Sequence, residues 1–505
     1  MGHGGSMGCA GARNRKVRMQ PGGRKAKLAL SGRDESGNDM PPELWNRMRL
    51  RLKMERAQSG NLQAKRVEDG FYFHPGDEDL SPGARLRKKP LAGLASRRAH
   101  SGPLKMGRAI TASMLSLAMA LGVTACSNDY TVSYLYMATS KPLPHGLINA
   151  YQVDYQSGSL LPLADSPIDA GGRNTVGLVV APNNLFLYTV NNFDSDVVEF
   201  AIGTDGKLYP QHTYNISGSL PTAAAIDAAG KFLYVTFTYQ NTPGGAQLYT
   251  PSNPGPGGIS IFPINPDNTL GTPTTVNAGR KPIGITTSAV GSYVYVIEQD
   301  AATTYNLLGF SENASSGALT PLAGVTINAG NVPSTGFVSG PTPSGILEDS
   351  AGAHLYVTDQ TLGQVATYTL SNGIPSLAGT APTDAGPMGM AFDLTGKYLY
   401  VTAYTANALD GYTIGTGGLP SRSTVAASVQ TGTGPTCVVI SGAPNNANPI
   451  HAIYLFTSNA LSNNITAEQL NPQDGGLDQV FGEPFGGSAL PTCMVTAPAF
   501  PLRNY

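Results

Sequence analysis

Charge is what this 505-residue chain has least of: 13% of its residues are Asp, Glu, Lys or Arg, about half the share of an ordinary soluble domain. It has four cysteines and one tryptophan. Four cysteines are too few to staple a small disulfide fold, and they leave room for one bridge in the folded part. No helical periodicity of useful length runs through the chain, which excludes a bundle or an α/β layer. No phosphate-cradling glycine loop, Gly-x-Ser-x-Gly elbow or metal-ligand spacing appears, so no cofactor and no metal are expected. Asp194-Ser-Asp196 has only two carboxylates of a calcium loop and lacks the remainder. Turn formers are abundant instead: 61 Gly and 38 Pro demand a chain that reverses often.

The net charge of −1 hides two unlike pieces. Residues 1–105 carry 22 Lys and Arg against 10 Asp and Glu, whereas residues 127–505 carry 9 against 23. Between them stands Met106-Gly-Arg108, an uncharged run from Ala109 to Leu121, and Val123-Thr-Ala-Cys126. A positive start, an apolar run and small residues before a cut site are the parts of a secretory signal. Val-Thr-Ala-Cys126 resembles the bacterial lipobox. That resemblance implies a lipidated Cys126 as the first mature residue, with Ser127 permitting sorting to the outer membrane. On this reading 106–126 is a lipoprotein signal peptide and 127–505 is an exported domain held to the envelope by its lipid alone. Translation then starts at Met106, and 1–105 is a basic, disordered leader read from upstream sequence. The rival reading keeps 1–105 as a cytosolic tail on a signal anchor. Acidic residues interrupt its basic clusters and no nucleic-acid motif accompanies them, so nucleic acid is not an expected partner.

The remainder repeats one motif seven times: Tyr134-Leu-Tyr136, Phe186-Leu-Tyr188, Phe232-Leu-Tyr234, Tyr293-Val-Tyr295, His354-Leu-Tyr356, Tyr398-Leu-Tyr400 and Tyr454-Leu-Phe456. Before most copies stands a strand and a tight turn, such as Ala228-Ala-Gly-Lys231 or Leu394-Thr-Gly-Lys397. After each comes an alternating strand, and then a Gly-x-Leu turn such as Gly206-Lys-Leu208 opens a fourth. Seven such units predict an all-β, seven-bladed β-propeller with four antiparallel strands per blade. The first aromatic strand lacks an inner strand before it, and Pro491–Ala497 is an inner strand with no aromatic strand after it. Pairing the two closes the ring from both chain ends.

Tyr234-Val-Thr236 and Tyr400-Val-Thr402 resemble the YVTN-type repeat of lactonase-like seven-bladed propellers. That family includes bacterial 6-phosphogluconolactonases and carboxymuconate-type cycloisomerases. The resemblance covers about residues 130–497 and implies the fold; for activity it implies at most lactone hydrolysis, because function sits on a fold rather than in it. Lactonases of the family often carry Gly-Pro-Arg-His at an inner-strand entrance. Here the entrances read Lys281-Pro-Ile-Gly284, Pro-Thr-Ala, Pro-Ser-Gly, Pro-Met-Gly and Pro-Thr-Cys, with no Arg-His.

Strand order sends the loops that enter the inner strands and those that leave the aromatic strands to one face. This mouth face collects Arg173, Arg280 and Lys281 at entrances and Asp194, Asp196, Glu298, Asp300 and Asp359 at exits. Lactone hydrolysis needs a base for water and a donor for the developing oxyanion. Arg280, Lys281 and Glu298, brought to one rim by a hairpin, are the catalytic candidates, and Arg173, Asp194, Asp300 and Asp359 form the ligand-binding rim. The bland alternative is a set of solvated surface pairs. The insertion Tyr239 to Gly258 reads as a lid over this face. His354 and His451 fall near the opposite, short-turn face, and His145 and His212 near outer strands. Cys437 and Cys493 occupy the same place in consecutive inner strands, as either a disulfide across the closure or two small buried residues. The expected partner of a monomeric propeller is a small-molecule ligand or an envelope protein.

Overall fold

A computed structural model describes residues 131–140, 144–240, 256–300, 303–329, 332–441 and 453–499. The leader, the signal segment with Cys126, nearly all of the 239–258 insertion, and His451 lie outside the described residues. Seven antiparallel blades follow one another. Blade 2 runs through Thr175–Val180, Phe186–Asn191, Asp196–Ile202 and Leu208–Asn215, from inner to outer strand. The aromatic motifs all form second strands, including Phe232–Gln240, Tyr293–Glu298, His354–Asp359, Tyr398–Ala403 and Ile453–Asn459. Blade 1 closes the ring: its inner strand, Pro491–Pro498, pairs antiparallel with Thr131–Thr139, placing Tyr136 opposite Val495. A further hairpin, Val325–Ala329 with Val332–Gly336, extends the chain after blade 4. Among the described residues no helix is long and apolar enough to cross a membrane.

Alternation here means something other than inside and outside. Side chains of a strand point alternately to opposite faces of the sheet, and each blade has a neighbour on both. Tyr134, Tyr136 and Ala138 pack with Leu187, Val198 and Phe200 of blade 2. Their alternates Leu135 and Met137, joined by Val132 at a register shift between residues 131 and 133, pack with Tyr454, Phe456 and Ile465 of blade 7. The second strands are therefore apolar at nearly every position, and the interior is divided into seven inter-blade cores. Only the outer strands meet water broadly, as in Leu208–Asn215.

The tyrosines of the repeat do a second job. The hydroxyl of the motif's last residue crosses to the next blade and donates to a carbonyl in its turn between third and outer strands. The pairs are Tyr136 to Gly206 at 2.7 Å, Tyr188 to Asn268 at 2.7 Å, Tyr234 to Gly317 at 3.3 Å and Tyr295 to Gly373 at 2.8 Å. Tyr356 to Gly418 at 2.7 Å and Tyr400 to Gly475 at 2.9 Å continue the series. In blade 7 the last motif residue is Phe456, and Tyr454 takes over, donating to Tyr155 of blade 1 at 3.0 Å. Burial raises the phenol pKa, so the hydroxyl keeps its proton and stays a donor. The motif's first ring lies flat on the turn glycine. At Gly206, with φ of 77°, a Cβ would collide with the Tyr134 ring, so the Gly-x-Leu signal is a requirement of turn shape and of ring contact together. His354 fills this ring position over Gly418 in blade 5.

Near the axis the inner strands converge, and each carries a small residue where it meets the next: Gly177, Ala223, Gly284, Gly345, Gly389, Cys437 or Cys493. A Cβ on Gly345 would strike the Met388 carbonyl of the following inner strand. Cys437 and Cys493 are both free thiols. The Met494 amide donates to the Cys437 sulfur at 3.2 Å, in the core between blades 7 and 1. Cys493 packs in the next core, between blades 1 and 2. Equivalent positions face the same way round the ring, so each thiol meets its neighbour's backbone rather than the other thiol. Burial pushes the Cys437 thiol up to about 11.

Two outcomes follow from this closure. Tyr356→Phe leaves the Gly418 carbonyl without its donor and should cost ~1–3 kcal/mol in a denaturant titration. Deleting residues 491–505 removes the blade 1 inner strand and should abolish cooperative melting rather than lower the midpoint slightly.

Candidate functional site

The mouth face is built by a local rule. The last residue of each second strand sits beside the turn that enters the inner strand of the same blade, because the two strands are hydrogen-bonded neighbours. In blade 4 this residue is Glu298, paired with Pro282 across the ladder. Its side chain folds under the turn Gly279-Arg280-Lys281, and Oε2 accepts the Arg280 backbone amide. Gly279 has φ of 64°, and a Cβ there would land on the carboxylate. Glycine thus admits the buried acid.

Glu298 has no solvent exposure, and its Oε1 is buried without a hydrogen-bond partner. Burial, reinforced by the nearby Asp300 charge, raises its pKa to about 7, against the pull of the Arg280 and Lys281 amides and the Arg280 charge. The Arg280 guanidinium itself turns to Asp300, with Nε 3.6 Å from Oδ2. Arg280, Glu298 and Asp300 are therefore brought together, with the Glu298 carboxyl accepting the Arg280 amide and the Arg280 guanidinium held near Asp300 by charge alone, its Nε without a hydrogen bond. Lys281 points outward, and its Nζ donates to Gln299 Oε1 at 3.3 Å.

The rest of the expected rim forms separate pairs in other blades. In blade 2 the Arg173 amide and Nε both donate to Asp194, each at 2.7 Å, and the guanidinium holds that carboxyl below its ordinary pKa. Asp196 accepts from Asn191 Nδ2 at 2.8 Å, and burial raises it. In blade 5 Asp359 accepts from the Thr342 and Leu362 amides, both at 2.8 Å, so it braces loops.

His145 departs from expectation. It lies on the mouth face, in the connection from Thr139 to Leu147, with Nδ1 2.9 Å from Asp169 Oδ1. The Gly146 amide donates to the Gly172 carbonyl at 2.7 Å, which draws this short connection against the entrance of blade 2. Both partners of the His145–Asp169 pair are largely exposed, so the contact is weak. His212 does lie on the outer strand of blade 2.

Sequence reasoning missed a larger network in blade 6. Arg422 Nη2 donates to Asp410 at 2.7 Å and lies 2.8 Å from Asp384 Oδ1. The Asp384 amide donates to Asp410 at 2.7 Å, and the Ser428 hydroxyl donates to Asp384 at 2.7 Å. Asp410 is fully buried, and burial raises its pKa to about 7 against the pull of the Asp384 amide and the Arg422 guanidinium. The available signal was Asp384 in Asp384-Ala-Gly386, the entrance-turn position that Asp169 holds in Asp169-Ala-Gly171; its partners Asp410 and Arg422 lie in the third and outer strands, whose offset from the entrance periodicity does not align. No group of three metal-ligating side chains forms among the described residues.

No family model matches the chain, and no curated protein matches it. Solved structures do. A candidate 6-phosphogluconolactonase of Bacteroides fragilis is 18% identical with a TM-score of 0.55, over 73% of this chain and 99% of its own. One from Bacteroides uniformis is 17% identical with a TM-score of 0.56, over 72% and 99%. A periplasmic gluconolactonase of Pseudomonas aeruginosa is 15% identical with a TM-score of 0.56, over 73% and 100%. At these identities the likeness is one of fold.

A stability test isolates Glu298. Its raised pKa means the folded protein holds this proton more tightly than the unfolded chain does. The resulting stability is full below the ordinary carboxylate range and is lost as pH rises through about 7. Glu298→Gln removes that loss, so its unfolding free energy relative to wild type should be more favourable at about pH 8.5 than at about pH 5, by up to ~3 kcal/mol in denaturant titrations. A difference independent of pH would refute the shift.

Proposed function

We propose that this chain is an exported, lactonase-like propeller lipoprotein, anchored through Cys126, that hydrolyses a sugar-acid or related lactone at its mouth face. The observation that carries the activity is the Glu298 carboxyl: buried, raised to about 7, with one oxygen unpartnered and Arg280 and Asp300 beside it. A carboxylate with that pKa is suited to take a proton from water near neutral pH. The water oxygen bonds to the acyl carbon, the acyl bond to the ring oxygen breaks, and the proton passes from Glu298 to the departing alkoxide. The product is a hydroxy acid, and no co-reactant beyond water is needed. Arg280 donates to the developing oxyanion, and Lys281 stands above it. Because the entrance turn covers Glu298, this reading requires Gly279–Lys281 to lift when substrate binds.

The names of the structural neighbours support the substrate class, and the periplasmic neighbour and the lipobox-like Val-Thr-Ala-Cys126 support export. A second reading rests on the complete burial of Glu298 and on the absence of Arg-His at any entrance. In it the propeller is not catalytic and binds a ligand or envelope protein through its rim.

A lactone panel separates the two. Turnover should fall as pH drops below about 7, and Glu298→Gln should lower kcat by ~10²-fold or more. Arg280→Ala should lower it by a similar factor. No turnover on any lactone leaves the binding reading, and turnover indifferent to both substitutions moves the site elsewhere. Mass spectrometry of the mature N-terminus tests the anchor: a diacylated Cys126 is expected.

A further inference from the structure

The charges of the mouth face say more about what the site would accept. Among the described residues its arginines all face carboxylates: Arg173 is hydrogen-bonded to Asp194 and Arg422 to Asp410, with Asp384 2.8 Å away, whereas Arg280 is held to Asp300 by an ion pair at 3.6 Å that leaves its Nε without a hydrogen bond. Lys281 is the exception, exposed and bonded to the neutral Gln299; Lys141, in the 141–143 stretch, lies outside the described residues. Against these cations stand Asp169, Asp194, Asp196, Asp300, Asp359 and Asp384, while Glu298 and Asp410, both raised by burial to about 7, add only part of a charge near neutral pH. The domain as a whole, 127–505, carries 9 basic and 23 acidic residues.

From this balance we infer that the site selects an uncharged lactone and rejects a phosphorylated one; the inference rests on the lactonase reading above. A phosphate monoester carries about −1.5 to −2 charges near neutral pH and is held by uncommitted arginines in bidentate geometry. Here a phosphate finds only Lys281 without a carboxylate partner among the described mouth-face cations; to gain a bidentate arginine it must draw one from its carboxylate, and it approaches through a field of its own sign. An uncharged lactone meets neither cost, and its hydroxyls can donate to the rim carboxylates. The committed Arg280 still offers N–H donors to a transient oxyanion, which does not demand a resident net charge. The same field favours release, because hydrolysis turns a neutral substrate into a carboxylate that the mouth repels.

The test compares glucono-1,5-lactone with its 6-phosphate ester on the full-length protein, by kcat/KM at low and at high salt. The uncharged lactone should be preferred by at least about tenfold at low salt, and the gap should narrow as salt screens the repulsion. Asp194→Asn, which releases Arg173, should raise kcat/KM for the phosphate ester relative to that for the uncharged lactone, by about fivefold or less. Equal use of the two substrates, or preference for the ester, overturns the inference while the lactonase reading stands. Turnover of neither, nor of any other lactone, ends both.

Discussion

A hydrogen bond from one blade to the next governs this molecule. Each second-strand tyrosine spends its ring on the core between two blades and its hydroxyl on a carbonyl in the neighbour's turn. A blade of four short strands cannot bury either face alone, so its stability depends on what lies on both sides. The tyrosine ties the two requirements together: packing places the hydroxyl, and the hydroxyl sets how far the next blade can slide or rotate. Blade 7 has phenylalanine at 456 in the tyrosine position, and Tyr454, two residues earlier on the same face, supplies the bond to a carbonyl in blade 1 instead.

The mouth face follows from the same arrangement. Since every second strand ends beside the entrance to its own inner strand, the residue there decides what that corner of the mouth does. Asn191 accepts from Thr175, Asp359 braces two loops, and Glu298 is a carboxyl with an unsatisfied oxygen. One backbone geometry thus yields a neutral brace, a charged brace and a proton-exchanging group. A glycine lies over each of these side chains, Gly279 over Glu298 as Gly340 over Asp359, so the difference at Glu298 is its one additional methylene. The longer side chain reaches beneath the entrance turn, where water does not balance its charge.

The two cysteines show how position round a ring outweighs proximity in sequence pattern. Their identical setting invites pairing, and it is also what prevents their thiols from meeting in this structure. A repeated element presents the same side chain in the same direction in every copy, so equivalent residues follow one another instead of facing.

Composition and spacing determined the architecture of this protein: the seven aromatic strands, their partners, the closure by Pro491–Pro498 and the face to which the charges go. These were legible because each depends on local pattern, a period of two along a strand and a glycine at a turn, repeated until accident is excluded. Which charges meet was only partly legible. Arg280, Glu298 and Asp300 lie within one hairpin, so their spacing betrays them. Arg422, on an outer strand, meets Asp384 in an entrance turn at an offset that no periodicity records, whereas His145, in the loop that leaves the first aromatic strand, obeys the strand-order rule for that face. Tertiary structure alone decided that the rim arginines are already neutralised, because a charge has meaning only with its partner at a distance, and that distance is set by packing.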